Sequence, residues 1–239
     1  MRTRPLVFAA VCLTTLAVSG CGKTSEGEPV ADKVESVAET TSTATPAPTS
    51  STRAIPTPEA DLTEPGVVAT TRTAVPAGTM SCALSDPPGE GVATAAVGDP
   101  AAPRITVALP QGWSSAPGDG DVGATLTGPD GVSATVTIVK TPLDPSAAFK
   151  KYSDDAMAAS PVSSVSVLPG DLCGYSGQKL LGSWADTPEQ AVEFGDRIAH
   201  IWTNNGDYLV AVHVEGPTGS PDFDPFTSPI MNDFGIELP

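Results

Sequence analysis

Two alternating apolar runs, Phe194–Thr203 and Tyr208–Val214, flank the turn sequence Asn204-Asn205-Gly206-Asp207. Asn-Gly between such runs is the strongest short-range signal for a β-hairpin, because both residues tolerate the positive φ of a type I′ turn. A hairpin with one buried face is held in register, since a slip of one residue turns every apolar side chain to the wrong side. With Asn205-Gly206 as the turn, Thr203 opposes Tyr208, His200 opposes Ala211 and Ile198 opposes His213. Alternation then puts His200, Trp202, Leu209 and His213 on one face, and Ala199, Ile201, Val210 and Val212 on the other. This pair commits the C-terminal half of the chain to an antiparallel sheet.

Other elements assemble around it. Ile105, Val107 and Leu109 alternate with Thr106 and Ala108 and stop at Pro110-Gln111-Gly112-Trp113. Val122–Thr127 and Val132–Lys140 face each other across Gly128-Pro129-Asp130-Gly131 and predict a second hairpin. The period then changes. Asp144-Pro145-Ser146 is a helix start, with Asp at the cap and Pro in the first turn. Ala148, Phe149, Tyr152, Ala156 and Met157 continue it until Ser160-Pro161. Val162, Val165 and Val167 among serines predict a short edge strand, and Tyr175–Trp184 a longer one. A second helix is predicted from near Asp222 to Pro225, carrying Phe226, Ile230 and Phe234.

The N-terminal third is different. From Gly22 to Gly78 there is no aromatic residue, and Thr, Ser, Pro, Ala and Glu dominate. Such a stretch buries too little surface to offset chain entropy, so residues 21–78 read as a disordered, extended spacer and 79–239 as one globular domain. The hydroxyls of Thr45–Thr52 suit either a bare spacer or an O-glycosylated one. At the start, Arg2 and Arg4 precede an apolar stretch, Leu6–Val18, that is too short to span a bilayer and leads into Ser19-Gly20-Cys21. This order resembles a bacterial lipoprotein signal with its lipobox. The resemblance implies removal of residues 1–20 by cleavage between Gly20 and Cys21, acylation of Cys21 (a palmitate-type lipid) and anchoring at the extracytoplasmic face of the cell membrane. With Cys12 removed and Cys21 acylated, Cys82 and Cys173 remain. An even pair in an exported chain reads as one disulfide, which closes about 90 residues and stabilises by roughly 4–5 kcal/mol; two separate buried thiols are the alternative.

The net charge is −16, and from Thr79 onward six basic residues meet twenty acidic ones. That surface repels nucleic acid and anionic lipid headgroups, which excludes nucleic-acid binding and a polybasic membrane patch.

Ile105–Trp113 with its Leu-Pro and Gly-Trp, the helix after Pro145, and the three long strands between Tyr175 and Val214 resemble the actinobacterial LpqN/LpqT-type lipoproteins. These carry a PsbP-like domain. The resemblance implies an α+β fold, a central antiparallel sheet flanked by helices on both faces (an α/β/α sandwich). It also implies an accessory or protein-binding role rather than an enzymatic one. The Cys82/Cys173 pair is a departure from that family.

Several constellations carry possible chemistry. Gly118-Asp119-Gly120-Asp121-Val122-Gly123 spells G-x-G-x-x-G, but a strand follows it where dinucleotide binding needs a helix, and two acids occupy the phosphate cradle. Asp119 and Asp121 offer oxygens to Ca²⁺, yet Gly123 stands where a third ligand belongs. Gly174-Tyr175-Ser176-Gly177 fails as a nucleophile elbow because Gln178 replaces the final glycine. His200 and His213, diagonal neighbours about 6–8 Å apart in the expected register, are weak metal candidates with Asp196 as the nearest third ligand. The bland reading is two partly covered histidines beneath a helix. Trp113, Trp184, Trp202, Phe149, Phe194, Phe226 and Phe234 either form the ordinary core or line a lipid cavity.

The expected function is therefore a membrane-anchored cell-envelope domain without catalytic residues, cofactor or firm metal site, binding an envelope protein partner. A carrier of a hydrophobic small molecule or lipid is the alternative.

Overall fold

The structure, a computed structural model, describes residues 64–84, 91–187, 190–220, 223–224 and 227–239. Gly20, Cys21, the signal segment and the spacer up to residue 63 lie outside them. The chain runs through β1 (Met80–Cys82), β2 (Gly91–Ala95), β3 (Arg104–Leu109), β4 (Ser114–Pro117), β5 (Val122–Thr127) and β6 (Ser133–Thr141). Then come helix α1 (Pro145–Ala158), β7 (Val162–Pro169), β8 (Ser176–Ala185), β9 (Val192–Thr203), β10 (Gly206–Pro217) and β11 (Gly235–Glu237). A seven-stranded sheet has the order β4-β5-β6-β10-β9-β8-β7, and a four-stranded sheet the order β1-β11-β3-β2. Every pairing is antiparallel.

The expected helix-flanked α+β sandwich is overturned. The fold is mostly β, two antiparallel sheets with one α-helix among the described residues. The second helix fails at Pro229, which lacks the N–H that a helix interior needs and instead opens a single 3₁₀ turn, Pro229–Met231. The segment ends as β11, inserted between β1 and β3. Ile230 and Phe234, expected on that helix, are buried together with Met231 in the core between the sheets rather than along a helix face. The small sheet thus covers the face assigned to a second helical layer. Ala95, Ile105 and Ile236 from it meet Val136, Ile138, Ile201, Val210 and Val212 of the large sheet in one core.

On the opposite face lies α1. Its first turn forms as the sequence dictates: the Asp144 carboxylate accepts the Ala147 N–H at 2.9 Å, and Pro145 follows. Phe149 is fully buried against Leu180, Ile198 and Ala211. Two i,i+4 pairs, Lys150–Asp154 and Lys151–Asp155, decorate the solvent side.

The β9–β10 hairpin is shifted by two residues from the expected register. Gly206 already pairs with Thr203, Leu209 with His200, Ala211 with Ile198 and His213 with Asp196. The residues outside the ladder are Asn204 and Asn205, neither of which has positive φ, so the type I′ Asn-Gly turn does not form. A shift of two preserves which residues share a face, and the faces are as predicted.

Cys82 and Cys173 are bonded, with Cα atoms 5.6 Å apart. The bond joins β1 to the tight turn Leu172–Tyr175 ahead of β8. Residues 64–78, which the sequence reading placed in the spacer, run along the large sheet. Gly177 N–H donates to Gly66 O at 2.9 Å, and the Ser176 hydroxyl bridges both backbone groups of Val68 at 3.0 and 3.1 Å. The Asn204 amide does the same for Val75, and Arg72 reaches both oxygens of Asp207. Gly66 is obligatory here: its φ is +74°, and a Cβ would lie 1.8 Å from Gly177 O. Arg197, fully buried on β9, donates to Gly170 O and to the Asp233 carboxylate at 2.9 Å, tying the β7–β8 connection to the segment before β11.

Candidate binding groove

The helix covers only part of its face of the large sheet. Beside it, over β6 and β10, an open apolar groove of about 520 Å³ remains. Its floor is Thr137, Val139 and Leu209, its wall is Ala148 and Tyr152, and Leu143 closes one end. Val139 is 37% exposed, a large apolar side chain left uncovered on a sheet. Lys151 and Asp155 stand at the rim, so polar groups border an apolar interior.

The groove is held by a polar cluster behind it. Tyr152 donates from its hydroxyl to Asp196 Oδ1 at 2.9 Å, and His213 donates from Nδ1 to the same oxygen at 2.6 Å. Asp196 is 1% exposed and sits directly opposite His213 in the ladder. The second imidazole nitrogen of His213 lies 3.5 Å from Glu215. Burial opposes charge on this imidazole, but the bonds to Asp196 and Glu215, and the attraction of both carboxylates, outweigh it and raise its pKa to about 9. Glu215 is lowered by the same bond to His213. Burial first, then the charge of Asp196 and the bond to it, push the Tyr152 hydroxyl well above its usual range. That phenol is a fixed donor, not a base.

Around His213 the aromatic residues close in. Trp184 stacks on Phe194 at 4.6 Å between centroids and on His213 at 5.6 Å. Gly182 makes room for this stack, since a Cβ there would lie 2.4 Å from the Phe194 ring.

The two histidines share a face, as expected, but are not neighbours. His213 opposes Asp196, whereas His200 lies four residues further along β9, roughly 13 Å away. His200 Nε2 donates to Leu143 O at 2.9 Å, so it fixes the end of the groove. Asp196 does meet His213, but its partners are an imidazole and a phenol. Among the described residues no group of three or more His, Cys, Asp or Glu side chains is arranged to hold a metal.

The remaining candidates are dispersed. Asp119 and Asp121 line a separate polar hollow with Asp99, Lys140 and Tyr208, where Tyr208 donates to Asp99 at 2.7 Å. Gly118–Asp121 connects β4 to β5, and Val122 and Gly123 already belong to β5, so a strand and not a helix follows. Ser176 is buried and spends both hydroxyl roles on Val68. Phe149, Phe194 and Phe234 are buried core residues, and Trp113 packs partly buried against Gly128, while Phe226 lies outside the described residues. The aromatic contribution to the groove is Tyr152. Sequence reasoning had Tyr152 only as a helix packing position; its lone hydroxyl on an otherwise apolar stripe was the available signal.

Comparison with solved structures finds a weak likeness to LpqN, described as involved in cell envelope biogenesis of Mycobacterium tuberculosis, with a TM-score of 0.45 and 14% identity over 62% of this chain and 91% of that one. No family model matches the chain, and no curated protein matches it. Among the described residues no helix is long and apolar enough to cross a membrane.

Proposed function

We propose that this chain is a lipid-anchored domain of the cell envelope that binds rather than catalyses, and that it takes an apolar element of an envelope protein partner into the groove beside α1. The observation that carries the reading is the uncovered floor of Val139 and Leu209 between a capped helix and a sheet. The address rests on the order of Arg2, Arg4, Leu6–Val18 and Cys21. The binding reading is supported by the bonds of the Tyr152 hydroxyl and His213 Nδ1 to one oxygen of Asp196, which join helix and sheet as a scaffold behind the groove.

A second reading, capture of a hydrophobic small molecule, is favoured by the groove volume of about 520 Å³, within the range of about 300–1,000 Å³ usual for such sites. One experiment tests both. A photo-crosslinking residue at Val139 in the full chain, expressed in an envelope-bearing cell, captures one defined protein that an identical probe at Val92 does not. Leu209→Asp abolishes the capture. Native mass spectrometry showing a copurified lipid, with no Val139-specific protein, selects the second reading; neither product from Val139 refutes both.

A further inference from the structure

We propose that β7 is a self-association edge, at which a second copy of this chain pairs antiparallel about Val165 and joins the two large sheets into one. Four strands end the two sheets, and three carry protection against such pairing. β1 has three residues, β2 has five, and β4 has four and closes on Pro117. Short edges, prolines, charges and bulges are how sheets avoid joining edge to edge. β7 is longer than any of these, carries no charge or bulge, and has its one proline, Pro169, as its last residue. It runs for eight residues, Val162–Pro169, without a charged side chain, and its ladder to β8 is unbroken from Val162↔Ala185 to Pro169↔Gln178.

The sequence of this edge is complementary to itself. Pro161 and Pro169 stand four residues on either side of Val165, so a two-fold axis at Val165 uses every position between the prolines. In that register Val162 faces Leu168 of the second copy, Ser163 faces Val167, and Ser164 faces Ser166. Val162 is 65% exposed and Leu168 42%, and alternation puts both on one face. The pairing therefore covers two exposed apolar side chains on each copy and sets serines against serines between them. A slip of one residue sends Val162 and Leu168 to opposite faces of their partners, and a slip of two brings a proline, which has no N–H, into the ladder. The chain as a whole is strongly acidic, and this uncharged edge is where two copies can approach without setting like charges side by side.

The test uses the full chain. Sedimentation equilibrium shows a concentration-dependent dimer, and Ser164→Lys with Ser166→Lys, which set lysine against lysine in the proposed register, raises the dimer dissociation constant at least tenfold with an unchanged circular dichroism spectrum. Val165→Cys, on the axis, forms an intermolecular disulfide at least tenfold more than Val162→Cys, with the unsubstituted chain run alongside to account for Cys12 and Cys21. A chain that stays monomeric up to about 1 mM overturns the proposal. So does equal crosslinking from Val162→Cys, or self-association that the lysine pair leaves untouched.

Discussion

Raising the pH should weaken the fold through one residue, His213. Its pKa is about 9 in the folded chain against the ordinary 6.5. Between those values the folded state holds a proton that the unfolded state has released, so the stabilisation is complete below about 6.5 and is lost as pH rises through 9. A gap of that size corresponds to about 3 kcal/mol, at 1.36 kcal/mol per pKa unit. The side chain is 25% exposed, so solvent screening removes only part of it. Urea unfolding at intervals from pH 6 to pH 9.5 measures the loss. The stacked Trp184 gives an independent signal, because deprotonation removes a cationic neighbour 5.6 Å from its ring. His213→Gln should be less stable than the parent chain at pH 6 by an amount of the same order, and its stability should be nearly flat over the interval. A parent chain with flat stability from pH 6.5 to 9, or a His213→Gln variant with the parent's slope, refutes the reasoning.

Three further outcomes follow from the packing. Replacing Cys82 and Cys173 together by serine frees a loop spanning a sequence separation of 91 and should cost about 4–5 kcal/mol in the chain-entropy relation, read as a lower urea midpoint. Arg197→Met should cost about 1–3 kcal/mol, because it strands the part-buried carbonyl of Gly170, whereas Asp233→Asn, whose carboxylate is 52% exposed, should cost under about 1 kcal/mol; thermal unfolding compares the two. Gly66→Ala should lift residues 65–68 from β8, since its Cβ meets Gly177 O at 1.8 Å, and hydrogen exchange at the Val68 and Gly177 amides should quicken by at least about tenfold.

The strands that alternate cleanly were legible. Phe194–Thr203 and Tyr208–Val214 sit within β9 and β10, and the hairpin across Gly128–Gly131 forms with Thr127 opposite Ser133. Asp144 caps its helix because cap chemistry is local. Register was not legible to the residue: the Asn-Gly pair suggested the turn, yet Asn204-Asn205 forms it, and that shift of two brought Asp196 rather than Ile198 opposite His213. The short strands β1, β2, β4 and β11 have three to five residues each, too few to show a period. They form because a neighbouring edge pairs with them, which is tertiary information. For the same reason Phe226, Ile230 and Phe234 suggested a helix at a spacing of four, while Pro229 decided otherwise. The groove was illegible because it is defined by what α1 leaves uncovered, not by any residue type.

The bond between Cys82 and Cys173 also sets how the domain bears a load. A pull on the chain ahead of Glu64 enters at Pro65–Val68, where Gln178, Gly177 and Ser176 hold it through separate hydrogen bonds that break in succession. Next in line are Arg72 on Asp207 and Val75 on Asn204, then β1 on β11. At Cys82 the unzipping stops, with roughly 60 Å of slack released at about 3.4 Å per residue. From there tension passes across the sulfurs to Cys173, and everything enclosed by the bond, from β2 to β7 with the floor and wall of the groove contributed by β6 and α1, is bypassed by the line of force.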